Sequence, residues 1–289
     1  MHPVLFDIKG FEIYTYGPIM ALGFLLAFFL IYHIAKTRDE DVDFYMDLYL
    51  WLIISGLLGA KVLYNIIEYE QFLEHPIRMM NCRNGGLVWY GGVIAATAVA
   101  IWYSRRKGKP VLQVTDTLSA PLALGLAVGR WGCLMGGCCY GKACPHPWAV
   151  TYPIEHETAG VAVHPTPIYE SLASLLIAVV IYLAIRKDAR RGVATLLWFT
   201  LYPLARFIIE FFRGDRIRGF LYEGDLIKLS TSQFLGLLIF VAAVGIWIYL
   251  YRNPEKAALQ GAEEKGKKPP EKEKQQKKKS GKKEKGEKK

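Results

Sequence analysis

Seven stretches of this chain, at about 16–36, 45–66, 86–104, 113–134, 167–186, 193–212 and 232–251, are apolar, and each runs near the length that crosses the hydrocarbon core of a bilayer. Hydrocarbon offers no partner to a bare peptide group, so a spanning segment must satisfy its own backbone, as a helix or within a closed barrel. These stretches are too long for barrel strands. The expectation is therefore an all-α, polytopic membrane protein with about seven transmembrane helices.

Charge is distributed unevenly around these runs. Lys36 and Arg38 follow the first, Arg105, Arg106, Lys107 and Lys109 the third, and Arg186, Lys187, Arg190 and Arg191 the fifth. Basic loops stay in the cytoplasm, which puts these connections and the C-terminus inside and the N-terminus outside. Met1–Thr15 holds Asp7, Lys9 and Glu12 where a cleavable signal would start basic and turn apolar, so the first span is expected to be retained. The net charge of +10 suggests nucleic acid only until it is located: residues 252–289 carry fifteen Lys or Arg against seven Asp or Glu. With no aromatic residue to bury, that stretch reads as a disordered, Lys-rich cytoplasmic tail drawn to anionic lipids, appended to a membrane domain at 1–251 that is nearly neutral. No nucleic-acid partner is expected.

Against this background, ionisable residues inside the spans stand out. Arg130 closes the fourth run in Gly129-Arg130-Trp131-Gly132-Cys133. A guanidinium there either snorkels to the headgroups or meets an anionic partner. Arg206, Glu210 and Arg213 in the sixth run are spaced four and three apart, which places them on one helical face with the carboxylate between two guanidiniums. Arg130 and Arg206 together suit a phosphate, because the guanidinium fork matches its oxygens and can take up charge that develops on a departing phosphate. Gly85-Gly86 and Tyr90-Gly91-Gly92 open the third run and Tyr16-Gly17 the first; the aromatics fit an interfacial belt or the edge of a site. Gly125 and Gly129 make a small-residue pair suited to helix packing. Before the fifth run, His164-Pro165-Thr166-Pro167 sets a helix start and offers a proton acceptor, while Glu170 complements the helix dipole.

The five cysteines, Cys82, Cys133, Cys138, Cys139 and Cys144, all fall in the expected outer half. Their spacing does not make a C-x-x-C zinc pair, and adjacent Cys138 and Cys139 suit each other poorly as partners. They read as inert or disulfide-bonded, with metal binding or thiol chemistry as the alternatives.

In this order, the motifs resemble the prolipoprotein diacylglyceryl transferase family of bacterial inner membranes, across about residues 10–250. The resemblance implies a multi-pass enzyme that moves the diacylglyceryl group of phosphatidylglycerol to the lipobox cysteine thiol of a prolipoprotein signal peptide. A thioether forms and glycerol phosphate leaves, which is the first step of lipoprotein maturation. It makes Arg130 the phosphatidylglycerol-binding arginine, Arg206 an essential catalytic arginine and Glu210 its orienting carboxylate. Tyr16, Gly91, Gly92 and Arg213 line the lipid site, and no metal or other cofactor is implied. This chain has Tyr90 where the family commonly has the histidine considered as base, Cys133 for an asparagine, and Gly136-Gly137-Cys138 for Asn-Gly-Glu. A phenol is a poor base at pH 7, so either none is needed or a residue such as His164 takes the proton. The competing readings are a paralogue serving another acceptor, a transporter of anionic solutes, and a membrane thiol-redox protein using Cys138, Cys139 and Cys144.

Overall fold

The computed structural model describes residues 4–8, 11–80, 86–153, 156–187, 189–215, 220–223 and 228–252. Cys82, Gly85 and the basic tail past Arg252 lie outside these residues. The chain divides into a compact unit, Met1–Trp247, and a second unit, Ile248–Lys289.

Among the described residues, six helices are long and apolar enough to cross a membrane: α1 (Tyr16–Thr37), α2 (Val42–Ile67), α6 (Val111–Met135), α7 (Thr166–Arg186), α8 (Val193–Glu210) and α9 (Thr231–Arg252). The chain is thus a polytopic, mostly helical membrane protein. Of the seven expected spans, the third forms as α5 (Trp89–Arg106), a helix of 18 residues. It is less apolar than the rest because it carries Gly91, Gly92, Thr97 and Ser104 and ends in Arg105 and Arg106. Two short helices, α3 (Tyr69–Glu74) and α4 (Pro76–Met80), lie between α2 and α5.

The expectation of an all-α chain needs one correction. Among the described residues, three antiparallel ribbons stand outside the helices: β1 (Val4–Ile8) with β2 (Phe11–Tyr14), β3 (Val150–Thr151) with β4 (Ala162–Val163), and β5 (Phe220–Glu223) with β6 (Lys228–Ser230). They occupy segments where no helix satisfies the backbone, so neighbouring stretches pair with each other.

Within the bundle α6 packs against α1, α7 and α8, while α2 packs against α1 and α5. The contacts are made by small and branched residues, including Ala27 and Ile31 of α1, Ala120 and Ala123 of α6, and Ile177 and Ile181 of α7. Large side chains such as Leu22, Leu25, Phe29, Leu58, Ile94 and Leu176 point outward, the arrangement expected where hydrocarbon surrounds the bundle. Gly125 and Gly129 face α1, where their added Cβ atoms would meet Ala27 and the Met20 sulfur.

At the end of the bundle marked by the basic loops, the buried Asp116 of α6 accepts hydrogen bonds from the backbone N–H groups of Gly192 and Thr195, at 2.5 and 2.8 Å, and from the Thr195 hydroxyl. The carboxylate thereby caps α8 from a neighbouring helix and fixes the two helices in depth. From that joint α6 and α8 run the same way, and Arg130 and Arg206 reach similar heights at their far ends.

α2 and α5 cross closely. A Cβ on Gly91 would stand 2.5 Å from Leu63 Cβ and nearer still to the Gly59 carbonyl, and one on Gly92 would stand 2.8 Å from the Gly56 carbonyl. By contrast, a Cβ on Gly56 would stand 4.0 Å from the Gly92 carbonyl, an ordinary contact. Gly91→Ala should therefore cost about 1–3 kcal/mol through overpacking, while Gly56→Ala should stay within about 0.5 kcal/mol of the parent. Thermal unfolding of the detergent-solubilised variants checks this; equal melting temperatures would refute the close crossing.

Candidate active site

At the end of the bundle opposite Asp116, three helices contribute alternating charges to one network. Arg130, near the end of α6, places Nη2 2.6 Å from Oε1 of Glu170, near the start of α7. Arg206, near the end of α8, has Nη1 3.6 Å from the other oxygen of Glu170 and Nη2 2.9 Å from Glu210. Arg213, just past α8, lies 3.8 Å from Glu210 and is held by both Asp215 oxygens, at 2.8 and 2.6 Å. The Tyr202 hydroxyl donates to Glu170 at 3.3 Å. Glu170 and Glu210 are almost wholly buried, whereas the Arg130 and Arg206 side chains keep 17% and 15% of their surface open. That remainder is what a ligand can reach.

The network leaves donors over. Arg130 Nε and Arg206 Nη1 are buried and make no hydrogen bond, the latter touching Glu170 only at ion-pair distance. A buried donor without an acceptor is costly, so the position favours an incoming group rich in acceptor oxygens.

Local sequence explains how these side chains meet. Pro165 and Pro167 start α7, and the Thr166 hydroxyl donates to the Cys139 carbonyl, tying the helix start to the turn that follows α6. One residue after Glu170, the Ser171 hydroxyl donates to the Ala127 carbonyl of α6 at 2.8 Å. Gly132 lets α1 come close: a Cβ there would stand 2.9 Å from the Tyr16 ring. Gly141 and Gly214 bring the loop strands together beside Arg213, since a Cβ on Gly214 would meet the Gly141 carbonyl at 2.5 Å.

Of the residues singled out from sequence, Arg130, Arg206, Glu210 and Arg213 share this network, and Tyr16 lies against Gly132 two residues from Arg130. Gly91 and Gly92 sit at the α2–α5 crossing. Tyr90, 46% exposed, has an edge-on ring contact with Trp89. His164 Nδ1 lies 3.0 Å from the Tyr169 hydroxyl, and its ring packs near Phe212 and His146. Tyr90 and His164 thus contact residues outside the arginine network. Glu170 was read as a dipole complement, yet it is the hub. The available signal was a carboxylate at the start of an apolar run, in a chain whose intramembrane arginine needed a partner. Tyr202 carried no such signal.

The turn after α6 gathers sulfur. Cys133, Cys138 and Cys139 place their sulfurs within 4.8 Å of one another, and Arg130 Nη1 lies 3.9 Å from the sulfurs of both Cys133 and Cys139. The four described cysteines are free thiols. Hydrogen bonds from Cys133 and Cys138, with Arg213 and Arg130 nearby, hold the Cys139 thiol well below its ordinary range.

With this geometry in view, comparison with known proteins is decisive. Residues 3–249 match the family model described as prolipoprotein diacylglyceryl transferase. The chain belongs to the prolipoprotein diacylglyceryl transferase family. Among its relatives, the phosphatidylglycerol–prolipoprotein diacylglyceryl transferase of Clostridium tetani is 34% identical over 250 residues, covering 86% of this chain and 97% of that one. The enzyme of the same name from Finegoldia magna is 32% identical, covering 84% and 94%, and that of Synechococcus elongatus 31%, covering 86% and 87%. The arginine network therefore lies inside the region shared with the transferase family.

Two outcomes follow from the site geometry. Glu170→Gln removes the charge that separates two buried guanidiniums and should lower stability by about 3–5 kcal/mol, against about 1 kcal/mol for Tyr202→Phe, as read by thermal unfolding. His164 is held below its usual imidazole range, first by burial and then by repulsion from His146. It should stay neutral at pH 7 and protonate only as pH falls below about 6.5. His146→Gln should raise the His164 midpoint, seen by NMR titration of histidine-labelled protein; an unchanged midpoint would exclude the coupling.

Proposed function

We propose that this chain transfers the diacylglyceryl group of phosphatidylglycerol to the lipobox cysteine thiol of prolipoproteins, forming a thioether and releasing glycerol phosphate. The observation that carries the reading is the meeting of Arg130 and Arg206 on one carboxylate, each with a buried donor to spare. A phosphodiester supplies acceptor oxygens to those donors. As the glycerol carbon leaves the phosphate, negative charge grows on the oxygen that departs, and two guanidiniums already in place stabilise it without reorganising. Glu170 and Glu210 act as positioning residues, each fixing the orientation of Arg206 while Glu170 also fixes Arg130. Tyr16, against Gly132, borders the lipid site.

In this reading the membrane domain, residues 1–251, spans the bacterial inner membrane seven times with α5 as one crossing, the N-terminus outside and the C-terminus in the cytoplasm. The lysines past Arg252 anchor the C-terminal end electrostatically at anionic headgroups. The network then sits at the outer face, where a secreted preprotein presents its signal peptide. A translocation path for anionic solutes has less support, because the charges gather at one end of the bundle instead of lining its middle.

Purified protein incubated with labelled phosphatidylglycerol and a lipobox peptide should yield the thioether. Arg130→Ala and Arg206→Ala should each slow the reaction about 100- to 1,000-fold. Arg206→Lys should recover only part of the loss, because an ammonium cannot hold Glu170, Glu210 and a phosphate oxygen with the same fork. Full activity in both alanine variants would refute the assignment.

A further inference from the structure

The carboxylates of the arginine network are each committed to guanidiniums, and Tyr90 and His164 contact residues outside it, so the proton of the incoming thiol needs another route. The nearest unassigned chemistry is the sulfur cluster. We propose that Cys133, Cys138 and Cys139 hold one zinc ion whose fourth position takes the substrate cysteine as a thiolate, the nucleophile of the transfer. This proposal rests on the transfer reading above and reverses the expectation of a metal-free scheme.

Four observations support it. First, the three sulfurs lie within 4.8 Å of one another. Tetrahedral zinc with bonds of about 2.3 Å needs sulfurs about 3.8 Å apart, so closure takes side-chain movements of about 1 Å or less. Second, the cluster has three members among the described residues, with Cys138 exposed and the other two half-buried, which leaves one side open. Three protein ligands and an open position is the pattern of a zinc site that does chemistry.

Third, the turn is held in place. Cys138 N–H donates to the Cys133 carbonyl at 3.0 Å, the Cys139 carbonyl accepts from Thr166, and His156 Nε2 is 2.6 Å from the Gly137 carbonyl. Cys139 has φ +62°, a conformation unusual for a residue with a Cβ, which points to a backbone constrained to aim its side chain. Fourth, Arg130 Nη1 lies 3.9 Å from two of the sulfurs. A zinc ion with three thiolates carries a net negative charge, which the guanidinium offsets. The same side chain keeps 17% of its surface open, where a lipid phosphate can reach it, so nucleophile and leaving group are brought side by side.

The step balances without a base or a redox partner. On binding zinc the substrate thiol loses its proton to water, because a coordinated thiol is deprotonated. Its sulfur attacks the glycerol carbon; the S–C bond forms, the C–O bond to phosphorus breaks, and the electron pair leaves on glycerol phosphate. The product thioether is uncharged, binds zinc more weakly than a thiolate, and so departs.

Cobalt(II) serves as the optical probe in place of zinc. Full-length protein, reduced and freed of metal, should bind one Co2+ per chain with sulfur-to-cobalt absorption in the near ultraviolet. Cys133→Ser, Cys138→Ser and Cys139→Ser should each remove roughly one third of that absorption, and Cys144→Ser should leave it unchanged. A lipobox peptide should add about one thiolate's worth again, and its Cys→Ser analogue should add nothing. Parent enzyme treated with chelator should lose transfer activity and regain it with Zn2+, a comparison that needs no variant to fold. Transfer that survives chelation, with no cobalt–sulfur absorption, overturns the zinc site while the transfer reading stands. Cobalt bound with peptide sulfur but no thioether in any metal state supports the site and overturns the transfer reading.

Discussion

One carboxylate shared by two guanidiniums fixes the business end of this bundle. Glu170 of α7 reaches Arg130 of α6 and Arg206 of α8, so each of three helices contributes one charge to a place where none could stand alone. In a medium of low dielectric constant the partners cannot drift apart cheaply, and helix rotation and depth follow from the pairing. Glu210 and Asp215 extend the alternation to Arg213, which pins the loop beyond α8 to the turn at Gly141.

The other end of the bundle makes that meeting possible. Asp116 caps α8 from α6 and sets the common starting level of the two arginine-bearing helices. Between the ends, small residues do the packing: lipid tails are as apolar as leucine, so helices gain by close approach instead of by hiding greasy side chains from water. Gly59 against Gly91 and Gly132 under Tyr16 are two sites of such close approach.

The cysteine-bearing turn is the second concentration of chemistry in this chain. Cys133 folds together with Cys138 and Cys139 beside Arg130. Three sulfurs so placed suit a soft metal ion.

The sequence alone determined the helical membrane architecture, because long uncharged runs in lipid have only one way to satisfy their backbone. It also determined the Arg206–Glu210 pair, because a four-residue spacing on a helix leaves little choice, whereas Arg213 lies just past α8 and reaches Glu210 from the loop. Arg130 was legible as a charge in need of a partner, but not which partner. Glu170 lies forty residues along the chain, and Tyr202 and Asp116 likewise act across helices, so their roles depend on packing that no local pattern encodes. The ribbons in the connections and the convergence of Cys133 with Cys138 and Cys139 were settled the same way. They follow from how a turn folds back on the end of α6 and is tied to α7 through Thr166, and only tertiary structure decides such long-range contacts.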